Sequence, residues 1–254
     1  MDFFQAVLLG MVEGITEFLP ISSTGHLILT ARLLRIPSSA FLSTFEIAIQ
    51  FGAILAAAVL YWRQLLFDRA ILTRVFVALL PALGVGFVFY STIKKMLDSE
   101  RTVLWALLVG GLLIILFEIF YRAKESITDV KSMSYRTAFL VGLFQSLAVI
   151  PGVSRAGATI LGGLWLGMKR AIIVEFSFLL AIPTMFAATT LELMKNSSIL
   201  TLENFDALMI GFCTAFLVAL FAIKFFLRFI GTHTFLSFGV YRIGVALLLF
   251  LILY

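Results

Sequence analysis

The sequence predicts an all-α integral membrane protein, an inverted-topology repeat of about six spanning helices plus two re-entrant helical hairpins. The 254 residues are 62% hydrophobic and 13% charged, with a mean hydropathy of +1.11. Soluble domains carry about 25% charged residues, so this chain has too few to cover a water-facing surface. Its apolar stretches are continuous rather than alternating, which favours helices over a barrel, and helices satisfy their backbone hydrogen bonds internally in lipid.

The net charge of +5 indicates membrane topology rather than a nucleic-acid partner. The basic residues lie at the edges of apolar runs, where they set the orientation of the spans. We therefore expect membrane lipids, and no nucleic acid, as partners. The single cysteine, Cys213, cannot form an internal disulfide. The first apolar stretch lacks a basic leading segment and contains Glu13 and Glu17, so we do not expect a cleavable signal peptide.

Six stretches provide the roughly 20 apolar residues that a spanning helix needs. They are residues 43–62, 72–93, 102–121, 172–194, 205–229 and 236–254.

Two further apolar stretches, residues 3–34 and 135–167, are interrupted by polar turns at residues 20–26 and 151–157. Each arm is too short to cross a bilayer. A proline ends the helix before each turn, and the Ser and Thr residues after it can cap a new helix. This pattern predicts two re-entrant hairpins that are buried in protein.

The two hairpins resemble each other in sequence. Residues 10–13 (Gly-Met-Val-Glu) match residues 142–145 (Gly-Leu-Phe-Gln), and a Pro-x-x-Ser turn follows each. We predict one membrane domain, residues 1–254, made of a first repeat at 1–121 and a second, inverted repeat at 135–254, with a site where the broken helices meet. More basic residues flank one set of loops, which places the first hairpin on the outer side and the second on the cytoplasmic side.

Glu13 and Glu17 lie four residues apart and share one helix face. Ionisable groups inside a membrane are costly, and their default interpretation is functional. Two neighbouring carboxylates resist being charged together, which suits a proton shuttle or a divalent-cation site. The alternative is that a glutamate only satisfies a buried helix end.

The first turn predicts phosphate chemistry, because it offers hydroxyls and an imidazole where a helix begins near Thr24. A helix N-terminus binds anions such as phosphate. Ser23 is a candidate nucleophile, with His26 or Glu17 as its base. Attack by His26 itself or by water stays open, and plain N-capping is the structural alternative.

Arg155 lies in the second turn, and its guanidinium can bind two phosphate oxygens at once. Ser154 beside it can cap the next helix. The alternative is a purely structural ion pair of Arg155 with Glu13 or Glu17. The expected substrate-binding residues are Ser22, Thr24, Gly25, Gln50, Gly152 and Ser154. We expect supporting roles for Glu46, Glu175 and Arg242.

Residues 13–26 (EGITEFLPISSTGH) and 151–155 (PGVSR) resemble the two signatures of the bacterial undecaprenyl-diphosphate phosphatases, also called bacitracin-resistance proteins. Residues 45–50 and 175–183 are also similar, and the resemblance runs from about residue 3 to the C-terminus. Ala156 departs from the family, which often has serine there.

The resemblance implies hydrolysis of undecaprenyl diphosphate to the monophosphate that carries peptidoglycan subunits. It implies a bacterial cytoplasmic membrane enzyme with a site open to the outer leaflet and a divalent cation, Mg²⁺ or Ca²⁺, for which Glu13 and Glu17 are the candidate ligands. Catalytic roles transfer to Glu13, Glu17, Ser23, His26 and Arg155. The rival hypothesis is a secondary transporter or a flippase of undecaprenyl phosphate, since inverted repeats with broken helices are typical of transporters. The sequence leaves open whether the chain works alone or as a homodimer.

Overall fold

The computed structural model describes residues 1–97, 99–122, 126–195 and 205–253, which form eleven α-helices. They are α1 (Phe3–Thr16), α2 (Ser23–Leu33), α3 (Ala40–Phe67), α4 (Arg69–Val88), α5 (Tyr90–Leu97), α6 (Glu100–Phe120), α7 (Tyr135–Ser146), α8 (Arg155–Trp165), α9 (Arg170–Lys195), α10 (Phe205–Ile230) and α11 (Leu236–Leu253). Short 3₁₀ turns occupy Val130–Ser132 and Leu147–Val149.

Six of these helices are long and apolar enough to cross a membrane, which confirms the six predicted spans: α3, α4, α6, α9, α10 and α11. One predicted boundary was wrong, because the span expected at 72–93 ends at Val88 and a separate helix, α5, follows. Phe89 leaves helical geometry at φ −102° and ψ 14°. The residues after it, which include Ser91 and Thr92, are only mildly polar, so hydropathy alone does not mark the break.

Two pairs of short helices stand at the predicted interruptions. The 14 residues of α1 span about 21 Å at 1.5 Å per residue, less than the roughly 30 Å of a hydrocarbon core. In the first pair α1 packs on α10, and in the second α7 packs on α4. Gly14 allows the first contact, since a Cβ there would lie 2.7 Å from the carbonyl oxygen of Ala215. Gly142 allows the second in the same way against Ala78.

Each helix pair has a turn at one end and its free helix ends at the other, and the free ends of the two pairs lie at opposite ends of α6. At one end, the last turn of α2 contacts the start of α6 through Arg32 and Glu100. At the other end, the residue that begins α9 directly after the second pair, Arg170, binds Glu118 near the end of α6. Whether each pair re-enters a bilayer, and whether the halves form an inverted repeat, stay predictions.

The end of the molecule where α3 meets α4 is fixed by a capping carboxylate. Asp68 accepts hydrogen bonds from the backbone amides of Ala70 and Ile71 and forms a 2.6 Å ion pair with Lys131. The pKa of the Asp68 carboxyl is lowered, first by the hydrogen bond from Lys131 and then by the amides at the start of α4.

Candidate active site

The first turn (residues 17–22) joins α1 to α2 and carries Glu17 at its start. Glu17 continues the helical path of α1, since its amide donates to the carbonyl oxygen of Glu13 at 3.0 Å. Ser22 ends the turn at φ +71°, a conformation that side-chain-bearing residues rarely adopt. The Ser22 side chain makes no capping hydrogen bond to α2, so the predicted serine cap is not formed there and the N-terminus of α2 stays available to an anion.

Glu17, Ser23 and Arg155 form one buried cluster that joins the two turns. The Ser23 hydroxyl donates to Glu17 Oε2 at 2.7 Å, and Arg155 Nη2 donates to Glu17 Oε1 at 2.9 Å. Glu17 and Ser23 are 7% and 8% exposed. Arg155 also donates to the carbonyl oxygen of Ser177 at 3.1 Å and lies over the ring of Phe18. The expected convergence of acid, hydroxyl and guanidinium is therefore present, although Glu17 and Arg155 are far apart in sequence.

Glu13 is fully buried, and neither of its carboxylate oxygens has a hydrogen-bond partner. Its charged neighbours are Glu17, Glu46 and Arg155. Arg155 Nε, Gln145 Oε1 and Ser177 Oγ are likewise buried without partners. Native structures hold few such atoms, so the unpartnered oxygens of Glu13, whose charged neighbours include Glu17 and Arg155, point to a ligand or an ion that supplies the missing contacts.

Glu13 and Glu17 are the residues here that could hold a cation. Carboxylate oxygens are the ligands that Mg²⁺ and Ca²⁺ prefer. Within the described part of the chain, no three His, Cys, Asp or Glu side chains are arranged to bind a metal. A cation at this pair would therefore depend on further oxygen ligands of other kinds, such as backbone carbonyls, water or phosphate.

His26 is turned away from Ser23. Its Nδ1 lies 2.7 Å from the carbonyl oxygen of Ser22, and because a carbonyl can only accept, Nδ1 must carry the hydrogen. Its Nε2 lies 2.9 Å from the hydroxyl of Tyr241, and the two rings stack. Both ring nitrogens are thus engaged, and among the described residues Glu17, rather than His26, bonds to the Ser23 hydroxyl.

The second turn (residues 147–154) is built by Gly152 and Ser154. Gly152 adopts φ +90°, and a Cβ there would lie 2.7 Å from the carbonyl oxygen of Val103 in α6. Ser154 caps α8 by accepting from the amide of Gly157 at 3.1 Å, as the sequence suggested, and donates to the carbonyl oxygen of Leu19 at 3.3 Å. Both residues shape the site, and their predicted contact with substrate stays a prediction.

The remaining predicted binding residues are not bonded to the cluster. Gly25 packs against α6, because a Cβ there would lie 2.7 Å from a methyl carbon of Leu107. Thr24 and Gln50 are half-buried. Within the described residues, no hydrogen bond connects either of them to the cluster, so their binding roles stay predictions too.

Sequence analysis missed three residues next to the site. Tyr241 carried no signal, since tyrosine is common at span edges. Gln145 could have been found, because it occupies the position that matches Glu13 in the repeat. Ser177 lies in the stretch of family resemblance but is a single hydroxyl in a span, which usually bonds to its own helix.

Six spans around a buried acid–serine–arginine cluster define a multi-pass membrane enzyme that acts on an anionic group. The family described as "Bacitracin resistance protein BacA" matches residues 6–248. This chain belongs to that family.

Three similar proteins share one name. The undecaprenyl-diphosphatase of Aquifex aeolicus is 48% identical over 248 residues, which is 97% of this chain and 97% of that protein. The undecaprenyl-diphosphatase of Wolinella succinogenes is 48% identical over 254 residues, 99% of each chain. The protein of that name from Bdellovibrio bacteriovorus is 42% identical over 258 residues, covering 100% of this chain and 97% of its own.

Proposed function

We propose that this chain hydrolyses undecaprenyl diphosphate to undecaprenyl phosphate and phosphate. The reaction returns the lipid carrier to peptidoglycan synthesis and gives resistance to bacitracin. The family and the shared name of its relatives support this activity. The observation that carries it is the buried contact of Glu17 with both Ser23 and Arg155, which puts a base, a nucleophile and a phosphate-binding cation in one place.

Ser23 is the proposed nucleophile and Glu17 its base. As Ser23 Oγ bonds to the terminal phosphorus, its proton passes to Glu17 Oε2, 2.7 Å away. The bond from that phosphorus to the bridging oxygen breaks, and undecaprenyl phosphate leaves with the proton that Glu17 received. Water then gives a proton to the Glu17 carboxylate and attacks the phosphorus of the phosphoserine. The bond from that phosphorus to Ser23 Oγ breaks, Ser23 takes the proton back from Glu17, and phosphate is released. His26 holds the turn in this scheme, since its Nδ1–H is bonded to the carbonyl oxygen of Ser22.

Positive electrostatic potential converges where the diphosphate would bind. Arg155 supplies a full charge, and α2 and α8 begin at Ser23 and Arg155, so the positive ends of both helix dipoles face the cluster. Phosphoryl transfer depends mainly on such charge stabilisation and on positioning. The buried, water-poor surroundings strengthen each interaction.

A divalent cation, Mg²⁺ or Ca²⁺, fits beside this cluster. Glu13 and Glu17 would hold it, because both oxygens of Glu13 lack a partner and face neighbouring negative charge. When bound, the cation would neutralise charge on the phosphate groups.

The proposed location is a bacterial cytoplasmic membrane, with the site open to the outer side. Arg242 contacts the carbonyl oxygens of Ala106 and Leu107 where the two turns meet. Ala106 lies about 9 Å along α6 from Glu100 and about 21 Å from Phe120, at 1.5 Å per residue. The turns therefore meet closer to the end of α6 that the distribution of basic residues assigns to the outside.

Phosphate release from purified protein tests this function. The chain in lipid nanodiscs is incubated with farnesyl diphosphate or undecaprenyl diphosphate, and free phosphate is measured. We expect turnover by the wild type and none by Arg155→Ala, whereas Arg32→Ala, which alters an exposed ion pair, should retain it. Wild-type turnover in Arg155→Ala would refute the site, and transport of undecaprenyl phosphate across vesicles without hydrolysis would favour a flippase instead.

A further inference from the structure

Arg242 of α11 is a buried cation whose hydrogen-bond acceptors are all backbone carbonyls. It is 2% exposed. Its guanidinium donates to the carbonyl oxygens of Pro20 in the first turn, Gly152 in the second turn, and Ala106 and Leu107 in the first half of α6. Among the described residues, no carboxylate forms a salt bridge with it. An uncompensated buried charge is costly, so its presence calls for a role beyond filling space.

The positions of the four acceptor carbonyls show which segments the Arg242 guanidinium connects. Pro20 lies midway between Glu17 and Ser23, and Gly152 lies three residues before Arg155. The two contacts, at 3.3 and 3.0 Å, are therefore made within the short segments that carry the catalytic groups. The contacts to α6 fix the same guanidinium to a long spanning helix. One side chain thus bonds to both turns and to α6.

Gly110 of α6 leaves the room that this arrangement needs. A Cβ at position 110 would collide with the guanidinium of Arg242. Elsewhere on α11, Gly244 has no neighbouring atom within 4 Å of such a Cβ. The glycine at 110 is therefore explained by the arginine, and it provides a way to displace the guanidinium without removing it.

We propose that Arg242 is a positioning residue that fixes the first and second turns relative to each other, so that Arg155, directly after the second turn, meets Glu17 of the first. The proposal rests on the proposed phosphatase function. Arg242 acts through backbone carbonyls and leaves substrate binding to Arg155 and the two helix N-termini. Misplacement of catalytic groups by about 1 Å can lower a rate by about 100-fold, so loss of this contact should affect turnover more than binding.

Three variants test the proposal with farnesyl diphosphate as substrate. Arg242→Met removes the hydrogen-bond donors. Arg242→Lys keeps the charge but loses the planar guanidinium that reaches several carbonyls at once. Gly110→Ala displaces an intact Arg242. We expect kcat to fall by about 100-fold in Gly110→Ala and Arg242→Met and by less in Arg242→Lys, with little change in KM. Gly244→Ala is the matched control and should behave as wild type. If Arg242→Met fails to fold, Gly110→Ala and Arg242→Lys still decide the question, and wild-type kcat in both overturns the proposal.

A double-mutant cycle separates positioning from general stability. Arg155→Lys weakens the group that Arg242 is proposed to place, so Gly110→Ala should cost far less kcat in that background than in wild type. Losses that multiply independently would mean that Arg242 does not act through Arg155, and the proposal would fall.

Hydrogen exchange gives a readout that needs no activity. Amides of the first and second turns should exchange faster in Gly110→Ala and Arg242→Lys, while the spanning helices keep wild-type protection. An unchanged exchange rate in the two turns, or faster exchange throughout the protein, would overturn the proposal. If wild-type protein releases no phosphate, the proposed function fails, and this measurement still decides whether Arg242 holds the turns together.

Discussion

Replacement of Glu17 by glutamine is the sharpest test of the catalytic assignment, because the two residues have nearly the same shape. Glu17 uses one oxygen for Ser23 and the other for Arg155, at 2.7 and 2.9 Å. An amide has one acceptor oxygen, so in Glu17→Gln its NH₂ must face either the serine hydroxyl or the guanidinium. Neither orientation supplies a base, because an amide does not take up the serine proton, and the second also sets two donors against each other.

The expected loss follows from these two contacts. A positioned general base contributes about 100- to 10,000-fold in rate, which corresponds to about 3–5 kcal/mol at 1.36 kcal/mol per tenfold. Loss of the buried partner of Arg155 adds to this, so we expect kcat with farnesyl diphosphate to fall by at least about 100-fold. The matched control is Glu100→Gln, which changes an exposed ion pair with Arg32 and should leave kcat near wild type.

His26→Gln distinguishes the rival base. In the structure His26 donates a hydrogen bond to the carbonyl oxygen of Ser22 and contacts Tyr241. Its loss should make the first turn less ordered, and kcat should fall by less than in Glu17→Gln. If Glu17→Gln stayed within about tenfold of wild type while His26→Gln lost all turnover, Glu17 would not be the base and the assignment would be refuted.

Three further outcomes follow from other contacts. Glu13→Gln removes a candidate cation ligand, so a titration of activity against Mg²⁺ should need a higher concentration for half-maximal rate; an unchanged titration would exclude Glu13 as a ligand. The pKa of Asp68 is lowered in the folded chain, so its contact with Lys131 contributes stability above the unfolded pKa of about 3.9 and loses it as pH falls through the folded value; Asp68→Asn should therefore flatten the acid side of a Tm-against-pH curve. Glu118→Gln weakens a part-buried pair with Arg170 and should destabilise the protein by about 1–3 kcal/mol, seen as a lower Tm, whereas an unchanged Tm would show that the pair contributes nothing.

The sequence predicted the six spans from the length of their apolar runs. It predicted the meeting of Glu17 with Arg155 from the cost of exposing polar groups to lipid. Charged and hydroxyl groups inside apolar runs are too costly to face lipid, so they must face each other. The same argument could not give the direction of His26, because that depends on Tyr241, which comes from a helix more than 200 residues later and carries no unusual signal. Side-chain orientation is set by tertiary partners, and a linear pattern does not contain them.

The break between α4 and α5 was missed for a different reason. Apolar character continues as far as Phe89, and the composition of residues 90–93 is only mildly polar. Hydropathy detects where a span is long enough, but the end of a helix is decided by capping and backbone geometry at single residues. Asp68, whose carboxylate caps α4, shows that such a signal is readable when the capping residue is acidic.

The two halves of the chain divide the charges of the site between them. Where the first half has Glu13, the second has Gln145, and where the first turn has Thr24 after its serine, the second has Arg155. Gln145 binds the Thr184 hydroxyl and brings no negative charge. A second pair of carboxylates would repel the anionic substrate, and a second arginine in the first turn would compete with Ser23 and Arg155 for Glu17. A diphosphate site between two similar hairpins therefore requires that their sequences differ at these two positions, and the activity belongs to neither hairpin alone.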